Sequence, residues 1–63
     1  MATLGERIRQ LRDERKLKQT DIAKVLGVNL NTVSKWELGT QYPSPENIAM
    51  LVEILDLSVN VEK

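Results

Sequence analysis

Gly27 separates two short helical patterns that abut with almost no chain between them, and this punctuation limits what the middle of the sequence can fold into. Ile22 and Leu26 lie four residues apart, the interval that stacks two side chains on one helix face. Val33 and Trp36 lie three apart on the segment that follows. Gly27 stands where the first of these helices must stop and the backbone must take a positive φ, which glycine does at no steric cost. Val28 falls in the turn, and Asn29 suits the N-cap of the second helix. Ala23 is small where one helix has to cross closely over the other; a large side chain there would hold the two apart.

The rest of the chain reads as helix as well. Thr3 and Glu6 have capping-box spacing, and Leu4, Ile8 and Leu11 form an apolar stripe that runs to about Glu14. After a connection over Arg15 to Lys18, a second helix is expected over about Gln19 to Leu26 and a third over about Leu30 to Leu38, closed by Gly39. Ser44 as N-cap, Pro45 in the first helical position and Glu46 in the first turn announce a fourth, running to about Leu55. Ile48, Leu51, Val52 and Leu55 give it a buried face, and Leu57 closes the core. Ser58 to Lys63 can begin a short fifth helix. The prediction is an all-α chain, a compact bundle of four to five helices forming one domain over residues 1–63.

Gln19, Ala23, Gly27, Val28, Val33, Trp36 and Glu37, followed by Gly39 and Pro43, resemble the Cro and cI phage-repressor type of helix-turn-helix domain, also called the xenobiotic-response-element family. The resemblance covers about Leu4 to Leu57. It implies a lambda-repressor-like fold in which the second and third helices, about residues 19–38, form the DNA-reading unit. It also implies sequence-specific binding of double-stranded DNA, commonly as a homodimer.

Composition removes several other classes. The 63 residues contain no cysteine and no histidine, so disulfides, zinc fingers and other thiolate or imidazole metal sites are excluded. The longest purely apolar run, Ile48 to Val52, is far short of the ~20 residues of a membrane span. No signal-peptide core is present, and a cytoplasmic protein with no membrane partner is expected. The three glycines are scattered at Gly5, Gly27 and Gly39, so there is no phosphate-cradling loop. Asp13 and Glu14 have the adjacency of a solvated helix face. No enzyme activity, cofactor or small-molecule ligand is expected.

Charge fits DNA binding less simply. Nine basic residues balance nine acidic ones, whereas nucleic-acid binders usually show a basic excess. Residues 1–37 hold eight Lys or Arg against five Asp or Glu, a net of +3, and residues 38–63 hold the balancing −3. Screening confines each charge to about 10 Å, so a basic face can meet phosphates while an acidic one points away.

The third helix decides specificity. At ~100° per residue, Val33 and Trp36 point to one side, and Asn31, Ser34, Lys35 and Leu38 to the other. Asn31 and Lys35 are the first choices as base readers, because Asn can pair with adenine N6 and N7 and Lys can donate to guanine O6 and N7. Leu30 suits a thymine methyl, and Ser34 completes the set. Gln19, by its resemblance to a family glutamine at the start of the second helix, is expected to contact the DNA backbone and brace the reading helix. Lys18, Asn29, Thr32, Gln41 and Tyr42 are further candidates for phosphate contacts, which position the protein without reading bases. Glu37 would be a poor DNA contact, because phosphates repel a carboxylate, and its angle places it beside the core face of the third helix. The resemblance pairs it with Arg12 in a partly buried ion pair. Leu57, Val59 and Val61 offer apolar material for a dimer contact. The functional expectation is a transcriptional regulator, a repressor on an inverted-repeat operator. Two alternatives stay open: an antitoxin-like or other protein-interaction module on the same fold, and the amino-terminal DNA-binding domain of a longer repressor.

Overall fold

The computed structural model describes residues 3–57 of the chain. Four helices occur among them: α1 over Leu4–Glu14, α2 over Gln19–Leu26, α3 over Leu30–Leu38 and α4 over Pro45–Leu55. The expected fifth helix, from Ser58, lies outside the described residues.

Each start has a local cause. The Glu6 N–H donates to Thr3 Oγ1 at 3.2 Å and the Thr3 N–H to Glu6 Oε1 at 2.9 Å, a complete capping box on α1. The Asn31 N–H donates to Asn29 Oδ1 at 2.8 Å, and the Asn47 N–H to Ser44 Oγ at 3.3 Å. α2 is the exception, because its N-cap is Lys18, whose ammonium accepts nothing. Only the reverse bond forms there, from the Lys18 N–H to Asp21 Oδ2 at 2.8 Å.

Gly27 and Gly39 end α2 and α3 in the left-handed region, at φ of 70° and 84°. A Cβ at Gly27 would meet nothing within 4 Å, so the strain of a side chain there is purely conformational. Gly27→Ala is expected to cost roughly 1–2 kcal/mol. Thermal unfolding by circular dichroism should show Tm lowered by roughly 4–16 °C, and less for Gly27→Asn, since Asn tolerates this region.

The core gathers Ile8 of α1, Ile22 and Ala23 of α2, Val33 and Trp36 of α3, and Leu51 and Leu55 of α4, closed by Leu57. Packing joins α1 to α3, α2 to α3 and α1 to α4, so α3 is gripped from two sides. At the α1 crossing the two backbones nearly touch. A Cβ on Gly5 would overlap the Trp36 carbonyl oxygen and come within 2.7 Å of that of Glu37. Among the described residues no helix is long and apolar enough to cross a membrane.

Candidate nucleic-acid interface

The outer face of α3 follows from the burial of its inner one. Val33 and Trp36 are sealed in the core, which turns Asn31 and Lys35 outward, both exposed. Leu30 is exposed at the start of the helix, and Ser34 is half-buried on the flank nearer α1. Leu38 is 75% exposed, so it takes no part in core packing.

Behind this face lies a polar clamp. Arg12 Nε donates to Glu37 Oε2 at 2.8 Å and Arg12 Nη2 to Glu37 Oε1 at 3.2 Å, the two-pronged geometry that suits guanidinium and carboxylate. Arg12 Nη1 donates to the Leu17 carbonyl at 2.9 Å and lies 3.4 Å from Asp13 Oδ1. The side chains are only 14% and 6% exposed. Hydrogen bonding to Glu37 raises the guanidinium pKa above its usual value, against the opposing effect of burial. The expected ion pair is therefore a junction that ties α1, the α1–α2 connection and α3 together.

Gln19, expected to brace the reading helix, reaches that helix at this junction, through a partner that the sequence did not name. Its Nε2 donates to Glu37 Oε1 at 3.0 Å. A carboxylate only accepts, so the bond fixes which end of the amide faces inward. One N–H and the carbonyl oxygen of Gln19 stay available, at the head of α2 beside α3. No local signal announces a bond between residues eighteen positions apart; it needs the α2–α3 turn to be folded first.

The other expected phosphate contacts scatter around α3. Lys18 and Asn29 are exposed, although Asn29 has its oxygen committed to capping, which leaves its amide N–H groups free to donate. Thr32 is half-buried, while Gln41 and Tyr42 are exposed in the loop after α3, where the Gly39, Thr40 and Gln41 N–H groups converge on the Lys35 carbonyl. Leu57 requires a correction. It is 2% exposed and belongs to the core, so its side chain is withdrawn from the dimer contact expected of it. Val59 and Val61 lie outside the described residues.

The chain is similar in sequence to known proteins. A family model described as Helix-turn-helix matches residues 8–61. The chain is 37% identical to the ImmF control region 10 kDa protein of Bacillus phage phi105, over 95% of this chain and 67% of that one. It is 39% identical to the HTH-type transcriptional regulator DicA of Escherichia coli (strain K12), over 89% of this chain and 42% of the relative. With Repressor protein C2 of Salmonella phage P22 the identity is 36%, over 87% and 26% respectively. The chain thus spans less than half the length of the latter two. No solved structure matches it significantly. With a family model covering most of its length and phage repressors and transcriptional regulators among its relatives, the chain belongs to the Cro/cI-type helix-turn-helix family.

Proposed function

We propose that this protein is a sequence-specific DNA-binding repressor that docks as a homodimer on an inverted-repeat operator, with α3 of each copy in a major groove. The observation that carries this reading is the contrast between the two sides of α3. Its inner side is immobilised by Val33, Trp36 and the Glu37 junction, and its outer side presents Asn31 and Lys35 free of structural duties. A base reader must be held this firmly, because a hydrogen bond that discriminates bases has to be aimed before contact.

Asn31 and Lys35 read base edges in this scheme, with Leu30 and Ser34 beside them. Gln19, Lys18, Asn29, Thr32, Gln41 and Tyr42 hold the backbone on either side. Two such helices related by a two-fold axis would reach half-sites one turn, ~34 Å, apart. Occlusion of a promoter then suffices for repression, in the cytoplasm and with no cofactor. Residues 1–63 act as one domain, and two relatives named as repressors, against one named as an activator, support the direction of control.

Selection from a randomised duplex pool tests this, run with the parent and with Asn31→Ala and Lys35→Ala. The parent is expected to enrich a two-fold symmetric site, and each variant to lose about 1–3 kcal/mol of preference at defined base pairs; Asn31→Ala keeps its affinity for random DNA, and Lys35→Ala, which removes a cation, loses some of it. If the parent enriches nothing at low salt, the DNA-reading function is wrong and a protein partner becomes the target.

A further inference from the structure

A shallow groove of about 220 Å³ runs between α1, the head of α2 and the flank of α3, lined by Arg9, Arg12, Gln19, Ser34, Glu37 and Leu38. Its charges are two guanidinium groups and one carboxylate. Arg12 and Glu37 are spent on each other, which leaves Arg9 as the charge the groove displays. The acids of α1 are turned to other partners, and none is within ion-pair distance of it among the described residues. Glu6 caps the Thr3 N–H, Asp13 lies against Arg12, and Glu14 accepts from Gln10. Arg9 is exposed and joins no ion pair among the described residues.

We infer that Arg9 is a phosphate-binding residue and that this groove seats one backbone phosphate of the bound duplex. The seat combines one uncommitted cation, the remaining amide N–H of Gln19, held in place by Glu37, and the Ser34 hydroxyl. All of these favour a tetrahedral oxyanion. The duplex is a better source than free phosphate, because the groove is open on its outer side and shares Ser34 and Leu38 with the outward flank of α3. A helix lying against DNA brings a phosphate strand to such a flank. This assignment rests on the DNA-binding reading, and it adds to that reading a contact on α1.

The test measures affinity for a random duplex against salt, using the parent, Arg9→Gln, Arg9→Lys and Lys24→Gln. Lys24 is an exposed cation of α2 outside the groove. Neutralising one phosphate contact is expected to flatten the slope of log K against log salt by about 0.9 and to weaken binding about tenfold at low salt. Arg9→Lys restores the slope, Lys24→Gln leaves it unchanged, and the Arg9 variants keep the parent's Tm. An Arg9→Gln slope equal to that of the parent, or a change that Lys24→Gln matches, overturns the assignment. So does a loss confined to particular base pairs, which would make Arg9 a reader. Inorganic phosphate alone, followed by the NMR shift of the Arg9 Nε–H, is expected not to saturate. Saturation by the free ion with an unaltered duplex slope likewise overturns it. If the parent itself binds no duplex, it is the DNA-binding reading that fails.

Discussion

Arg12→Met is expected to cost roughly 3–5 kcal/mol, because it strands a carboxylate that is 6% exposed. A chain of 63 residues has a total stability of only roughly 3–9 kcal/mol, so the variant should lose a third of it at the least and be unfolded if the parent lies at the low end of that range. The two halves of the pair are not equivalent. Without Arg12, Glu37 keeps a single bond, the one from Gln19 at 3.0 Å. Without Glu37, Arg12 still donates to the Leu17 carbonyl, lies near Asp13 and retains more access to water. Glu37→Leu is therefore expected to cost less than Arg12→Met. The double variant should be more stable than Arg12→Met alone, because no unpaired charge stays buried. Urea unfolding of the parent, both single variants and the double variant measures the coupling. Additive losses would show that the pair is two independent surface charges.

Gly5→Ala is a second substitution with a large expected effect, and here local and tertiary reasoning disagree in sign. Within a helix, alanine is favoured over glycine by about 1 kcal/mol, so α1 taken alone should gain. The added Cβ, however, would overlap the Trp36 carbonyl and crowd that of Glu37. Both obstacles are backbone atoms in the last turn of α3, which cannot swing aside as a side chain would. The helices must separate, and separation pulls Trp36 and Ile8 out of register and disturbs Glu37. Overpacking of this kind costs about 1–3 kcal/mol or more, which outweighs the propensity gain. A Tm lowered by more than about 5 °C is the expected result. A raised Tm would mean that α1 and α3 do not approach closely at Gly5.

These two cases show where the sequence was legible. Helix boundaries came through because their signals are local: Thr3 with Glu6, Ser44 with Pro45, and the glycines at 27 and 39 each settle a backbone choice within a few residues. Val33 and Trp36 marked the inner side of α3 by spacing alone. Gly5 was invisible, since a glycine near a helix start looks like a weak helix former until the neighbouring helix is placed against it. The bracing role of Gln19 came from the family resemblance, but its partner, Glu37, was hidden for the same reason. Arg12 and Glu37 were paired only because the family resemblance suggested it; the third partner and the Leu17 carbonyl depend on how α1 meets α2. Leu57 suited both the core and a dimer contact as an apolar residue after the last helix, and only packing decides between them.

The buried indole of Trp36 also has a spectroscopic meaning. It is the one tryptophan of a chain that has one tyrosine and no phenylalanine, and the two rings stand in opposite surroundings, 2% and 71% exposed. The two side chains line one pocket, so light absorbed by the exposed phenol passes largely to the indole, and emission from the whole chain reports the buried ring. That ring sits on the helix whose other side faces the proposed operator, and unfolding can be followed there without attaching a dye.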